Sequence, residues 1–310
     1  MDSPVLAAVS GGADSLALAA ALAFERPGSG ALVVDHGLQA GSAVVAARAA
    51  EQCRSLGLSA QVLSTPPVPA DHGLARTDHG EGAAWLSVAD TAQLHDRRET
   101  GGPEARAREL RYGLLEQAAA ACDAPGGQAV VLLGHTREDQ AESVLLGLVR
   151  GSGARALAGM APVRGRYRRP FLDLPRGTVR QACAEAGLAP YEDPHNQDPA
   201  YRRVVVRRLL GELDITDGLA RTAALLREDD EALEELAVPT DDVGELAAML
   251  PALRARALKR WAEQQCGRAV TRAHVAALRE LVEDWHGQGP VALPGGGRVT
   301  RRGGRLAFTG

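Results

Sequence analysis

The 310 residues accommodate two domains, and with 45% apolar but only 3% aromatic residues a core must be built largely from Ala, Val and Leu. Four cysteines, Cys53, Cys122, Cys183 and Cys266, lie far apart without a Cys-x-x-Cys pair, which excludes a disulfide framework and a cysteine-bound iron–sulfur or zinc site. A net charge of −4 disfavours a nucleic-acid partner at face value, and the lack of a signal-type N-terminus or of any run near ~18 apolar residues predicts a soluble, cytoplasmic protein without a membrane span.

The first predicted element is a short apolar strand, Val5-Leu6-Ala7-Ala8-Val9, followed by Ser10-Gly11-Gly12-Ala13-Asp14-Ser15 and an apolar helix from Leu16. Two glycines permit positive φ and close approach of a ligand. Two hydroxyls and the N–H groups of the first helical turn then converge on that point, with the positive end of the helix dipole behind them, which suits phosphate. The turn lacks the Gly-Lys-Ser/Thr of a Walker loop and the Gly-x-Gly-x-x-Gly of a dinucleotide fold.

Further strands are expected over 31–36, 59–64 and 128–135, and helices over 42–56, 105–121 and from 136 through Leu148. Short apolar strands alternating with helices predict an α/β fold, a doubly wound and mostly parallel sheet. Ligands sit at the carboxyl ends of such strands, so Ser10, Asp35 and His135 should converge on one crevice. Residues 65–103 interrupt the alternation. This long insertion opens with Pro66, Pro67 and Pro69, and its histidines His72, His79 and His95 have no paired metal-ligand spacing.

Gly134-His135-Thr136-Arg137-Glu138-Asp139-Gln140-Ala141-Glu142-Ser143 is the second dense motif. Its His135, Asp139 and Glu142 stand at i, i+4 and i+7, the spacing of one helical face, and an imidazole with two carboxylates suits an ammonium group or Mg²⁺. The competing reading is a solvated polar face. From about residue 211 the pattern becomes helical, over Leu219 to Leu236, Val243 to Trp261, and Thr271 to Trp285 with Thr271 as N-cap. The chain closes on a β-hairpin between 291 and 308 around a glycine turn. Two domains follow, 1–210 and a smaller helical one at 211–310. Charge is segregated along them: 150–210 holds 12 Arg against 5 acidic residues, 211–250 holds 2 Arg against 12, and 251–310 holds 11 Arg and Lys against 4. Two basic zones flanking an acidic stretch can present phosphate-binding surfaces on a chain that is acidic overall.

Eight segments occur in order: SGGADS, VDHGL at 34–38, EARARELRY at 104–112, GHTREDQAES at 134–143, RGSG at 150–153, RPFLDLPR at 169–176, EDPHNQD at 192–198 and RVVVR at 203–207. Together they closely resemble the tRNA(Ile)-lysidine synthetase family of the PP-loop ATP pyrophosphatases, over residues 5–210. The helical remainder is similar to that family's second domain in character only. The resemblance implies a ligase acting in two steps on the wobble cytidine of a tRNA(Ile) with a CAU anticodon. The 2-oxo group attacks the α-phosphorus of ATP, releasing pyrophosphate. The ε-amine of free lysine then displaces AMP at carbon 2.

Carried onto this chain, the resemblance assigns Ser10, Gly11, Gly12, Asp14 and Ser15 to the ATP phosphates, with Asp14 on Mg²⁺ and Asp35 near the adenosine or the metal. Arg111, with Arg108 one turn earlier, would face the reacting phosphate or the base. Asp139 and Glu142, with Asp173 and Arg207, would bind lysine. One of those two carboxylates, or His135, accepts the proton the ε-amine must lose. Arg150, Arg164, Arg168, Arg169, Arg202, Arg203 and Arg208 are the expected phosphate clamps for tRNA, with Tyr167 and Tyr201 as candidates for base stacking. The family also implies a possible homodimer. Rival readings are a PP-loop thiolase, which would display cysteines at the site, a small-molecule amidating synthetase, and a non-catalytic nucleotide-binding module.

Overall fold

A computed structural model of the chain describes residues 3–35, 37, 41–64, 103–193 and 202–310, with the backbone alone at 103–107, 202 and 203. The 65–102 part of the insertion with its three histidines, and residues 194–201 with Tyr201, lie outside the described residues. The chain divides into two compact units, the first running to Ala223 and the second from Ala224 to Gly310.

The first unit is a six-stranded sheet in the order β3-β2-β1-β4-β6-β5. Strands β1 (Val5–Val9), β2 (Gly30–Asp35), β3 (Ser59–Ser64) and β4 (Val130–Leu132) are parallel, as is β6 (Tyr167–Arg168); β5 (Val163–Arg164) pairs antiparallel to β6. Alternation along the central strands builds two cores. Ala7, Val9, Ala31 and Val33 face one layer, where they pack with Leu16 and Leu18 of α1 (Ala13–Glu25), Ala49 and Cys53 of α2 (Ser42–Ser55), and Val179 of α6 (Arg176–Glu185). Leu6, Leu32, Val34 and Val131 point the other way, onto Tyr112, Leu115 and Ala119 of α3 (Pro103–Ala121). Both faces are covered, as a parallel sheet requires. Winding reverses between β1 and β4, and that switch point fixes the crevice.

Two local differences from expectation have simple causes. The strand expected over 128–135 is regular only for three residues, because Leu133 N already bonds Arg168 O at 2.8 Å and the chain then turns toward α4 (Arg137–Val149). The two-residue edge strands β5 and β6 and the four-residue α5 (Ala154–Leu157) are too short to carry a period. The unit is completed by α7 (Arg202–Leu213), whose Val206 and Leu210 pack on Ala141 and Leu146 of α4.

The second unit contains the C-terminal part of α8 (Thr216–Leu236), then α9 (Val243–Ala248), α10 (Pro251–Cys266) and α11 (Arg272–Glu283). The single helix expected from Val243 to Trp261 is two. Pro251 occupies the start of α10, and the preceding Leu250 is pushed to ψ 145, out of the helical region. Arg254 caps the interrupted end of α9, donating to the carbonyls of Leu246, Ala247 and Met249. Thr271 caps α11 as expected, accepting from His274 N. The closing hairpin is the larger part of a three-stranded antiparallel meander, β7 (Val291–Ala292), β8 (Arg298–Arg302) and β9 (Arg305–Thr309). Leu258, Leu278, Leu281, Val299 and Leu306 form its core. Among the described residues no helix is long and apolar enough to cross a membrane.

Candidate active site

The glycine turn sits at the carboxyl end of β1. Gly11 has φ +88°, where a side chain would be strained. Gly12 is the N-cap of α1 and offers no side chain, so the first-turn N–H groups of the helix face outward uncovered by a cap. Ser10 N donates to Ser15 Oγ at 3.1 Å, and Ser15 Oγ donates to Gly12 O at 2.9 Å, so the two serines shape the loop from inside. Tyr191 N, from the segment leading into the EDPHNQD motif, donates to Gly11 O at 2.9 Å. The second motif abuts the first through Gly134: a Cβ there would lie 2.9 Å from Asp14 O and 3.1 Å from Asp14 C.

His135 precedes the helix, with Thr136 as N-cap of α4, so the expected three-residue helical face reduces to Asp139 and Glu142. Thr136 and Asp139 close a capping box in which Asp139 Oδ2 accepts from Thr136 N at 2.8 Å. That leaves Oδ1 facing the crevice. Gln140 is structural: its buried amide holds Met160 through both backbone groups, at 2.7 and 3.2 Å.

The residue that joins these parts is Arg176, at the first turn of α6. Its Nη2 donates to Asp139 Oδ1 at 2.6 Å, Nη1 lies 3.5 Å from Glu142 Oε1, and Nε lies 3.4 Å from Asp14 Oδ2. Arg207, from α7, donates through Nε to Glu142 Oε1 at 2.5 Å, and its Nη2 stands 4.0 Å from Asp139 Oδ1. Two guanidinium groups therefore serve three carboxylates.

The electrostatics separate these groups. Burial raises Glu142, and the charge of Asp139 adds to it, against Arg207 and Arg176. Burial also acts to raise Asp139, but the charge of Arg176, the Thr136 N–H and Arg207 outweigh it and hold that carboxyl below its ordinary value. Asp14 is raised, chiefly by burial. Burial and the charges of Arg169, Arg108 and Arg111 push the His135 imidazole down to about 3, against the pull of Asp139. Arg108 and Arg111 thus act on the same pocket, and Arg108 Cζ lies 5.4 Å from the Tyr112 ring centroid.

The remaining expected site residues have the following surroundings. Asp35 Oδ1 accepts from Gly37 N at 3.0 Å, forming the local turn after β2. Asp173 exposes its side chain and contributes its carbonyl, which Arg137 engages at 3.1 Å. Arg169 is buried and donates to Ala161 O at 2.7 Å, so it belongs to the floor rather than to an exposed clamp. Arg168 donates to Gly165 O and Tyr167 O, and Arg208 pairs with Glu212 at 2.7 Å on the surface. Arg150 is exposed just past α4, and Arg164 is half-buried. The side chains of Arg202 and Arg203 lie outside the described residues. Tyr167 is core, its hydroxyl donating to Glu116 Oε2 at 3.0 Å. Cys53 and Cys183 are buried in the layer of α1, α2 and α6, and burial pushes the Cys53 thiol up to about 11.

Asp14 fits a hard cation. Its Oδ1 is buried and accepts no hydrogen bond among the described residues, and Mg²⁺ takes one or two carboxylates while phosphates complete its shell. No cluster of three His, Cys, Asp or Glu among the described residues would hold a metal without the phosphates.

Comparison with known proteins identifies the family. The PP-loop domain family matches residues 1–213, and the TilS substrate binding domain matches residues 242–307. The chain is 46% identical to the tRNA(Ile)-lysidine synthase of Leifsonia xyli subsp. xyli, covering 98% of this chain and 89% of that protein. It is 43% identical to the protein of the same name from Streptomyces coelicolor, over 98% and 84% respectively. In fold it is similar to the U34-tRNA thiolase NcsA from Methanococcus maripaludis, with a TM-score of 0.51 over 73% of this chain and 72% of that one at 18% identity. With family matches in both units and relatives above 40% identity over nearly its whole length, the chain belongs to the tRNA(Ile)-lysidine synthase family of PP-loop ligases.

Proposed function

We infer that this enzyme ligates lysine to carbon 2 of the wobble cytidine of a CAU-anticodon tRNA(Ile), through an adenylated base. The observation that supports the reading is the Arg176 bridge, by which one guanidinium spans from the carboxylate pair of Asp139 and Glu142 to Asp14 of the phosphate loop. In the first step the cytosine 2-oxo group attacks the α-phosphorus of ATP and the bond to the pyrophosphate breaks. The first-turn N–H groups of α1 hold the departing charge, with the exposed Ser10 beside them. Asp14 would hold Mg²⁺, which when bound neutralises the phosphate charge.

In the second step the lysine ε-amine attacks carbon 2 and AMP leaves. Asp139 and Glu142 offer their carboxylate oxygens to the lysine ammonium, with Arg176 and Arg207 on the same oxygens. The attacking amine must first lose a proton. Glu142 is the acceptor we assign, because burial raises it, whereas Asp139 is held low and His135 lies far below neutrality. No cysteine lines this arrangement among the described residues, which favours ligation over sulfur transfer. The matched substrate-binding region, 242–307, offers the exposed Arg298 and Arg302 on one face of β8, opposite the buried Val299, for tRNA phosphates.

The test is incubation of the protein with ATP, labelled lysine and CAU-anticodon tRNA(Ile) transcript. Label should enter the RNA, AMP should form only with that tRNA, and Asp139→Ala should abolish incorporation. Glu142→Gln should stop lysine transfer yet still release pyrophosphate. Sulfur transfer in place of lysine incorporation, or nucleotide binding without turnover, overturns the reading.

A further inference from the structure

Arg176 is more than a neutralising partner, because of which oxygens it covers. Asp139 Oδ2 is committed to the Thr136 cap, so Oδ1 is the oxygen that carboxylate offers the crevice, and Arg176 Nη2 lies on it at 2.6 Å. Glu142 Oε1 already accepts from Arg207 and has Arg176 Nη1 at 3.5 Å. An ammonium arriving at this pair therefore competes with the Arg176 guanidinium for the same oxygens. The third nitrogen, Nε, reaches the other way, to Asp14 in the phosphate loop at 3.4 Å.

A guanidinium favours phosphate oxygens as strongly as carboxylates, through the same fork of parallel donors. Phosphates in the glycine turn give it a denser anion on the Asp14 side. Movement of the guanidinium toward them uncovers Asp139 Oδ1 for an amine. We propose that Arg176 is a positioning residue through which nucleotide in the phosphate loop opens the carboxylate pair to lysine. The inference rests on the reading of Asp139 and Glu142 as the lysine site. It adds an order to the reaction, nucleotide first and amine second, and by linkage lysine must strengthen nucleotide binding by the same factor.

The experiment measures the Kd of labelled lysine by equilibrium dialysis in Mg²⁺ buffer, with and without saturating α,β-methylene-ATP, whose α–β bridge cannot be cleaved. In the unaltered enzyme the analogue should tighten lysine binding about tenfold, within the range usual for coupled sites. In Arg176→Gln the ratio should fall to about one, with lysine binding no longer waiting on nucleotide. Arg176→Lys, which keeps the charge but can engage only one carboxylate at a time, should give an intermediate ratio and guards against a fold lost in the glutamine variant. A ratio unchanged in both variants, or an analogue that weakens lysine binding, overturns the inference. A ratio of one in the unaltered enzyme overturns it while leaving the lysine site standing. No lysine binding in either condition overturns the site assignment itself, and the coupling with it.

Discussion

His135 is pushed to about 3 by burial and by three surrounding guanidinium groups, so its imidazole is neutral in the folded enzyme near pH 7. In the unfolded chain it titrates near its ordinary value of about 6.5. Below that value the unfolded chain binds a proton that the folded one refuses, so the contribution to stability is complete above pH ~6.5. It is lost as pH falls toward 3, at about 1.4 kcal/mol per pH unit. Over the window from pH ~6.5 to ~5 burial also favours protonation of Glu142 and Asp14, so the histidine share is read as the difference from a variant that lacks the imidazole. The melting temperature should therefore fall over this window and fall less in His135→Gln, measured by calorimetry in low-salt buffers. Equal slopes for the two proteins would place the acid sensitivity elsewhere. The same neutrality fits the chemistry, because an imidazolium beside the carboxylate pair would repel the incoming ammonium.

At the scale of elements, the meeting of the two sequence motifs depends on one missing methyl group. Gly134 leaves β4 against the first turn of α1, and the atoms that a Cβ would strike, Asp14 O and C, are backbone and cannot rotate away. Gly134→Ala should therefore shift the N-terminus of α1, cost roughly 1–3 kcal/mol as overpacking does, and weaken ATP binding measured by calorimetry. Gly113→Ala, in open space on α3, should instead stabilise by about 0.5–1 kcal/mol and leave ATP binding alone. If both substitutions behave alike, the close approach at Gly134 does not matter. The central strands and their order of burial were legible because apolar runs such as Ala31 to Val34 have no other stable placement. Asp139 and Glu142 were legible from helical spacing. The two-residue edge strands were not, and neither was the break at Pro251, where an unbroken apolar period masked a proline signal. Arg176 was also missed, although a trace existed. A cation in the first turn of a helix opposes the dipole, and such a residue requires acidic partners from elsewhere in the fold. Their identity is a long-range fact that no local pattern holds.

Across the whole molecule, counting arginines along the chain overstates the surface available to RNA. Of the basic residues between 150 and 210, Arg166 is buried against Glu116 and Asp123, Arg176 and Arg207 serve the carboxylates, and Arg169 holds a carbonyl. Arg208 is exposed but paired with Glu212. Four of those arginines serve the fold itself, and we propose that the matched substrate-binding region also contacts the tRNA backbone. There, alternation on β8 turns Arg298 and Arg302 outward while Val299 anchors the strand in the core. Each lost phosphate contact lowers the slope of log K against log salt by about 0.7–0.9. The double variant Arg298→Ala/Arg302→Ala should accordingly bind tRNA more weakly at 50 mM salt, with a slope shallower by about 1.5, while ATP affinity is unchanged. Arg208→Ala should leave the slope as it was, because its charge is already matched by Glu212. A slope unaltered in the double variant would mean that β8 does not touch the RNA backbone.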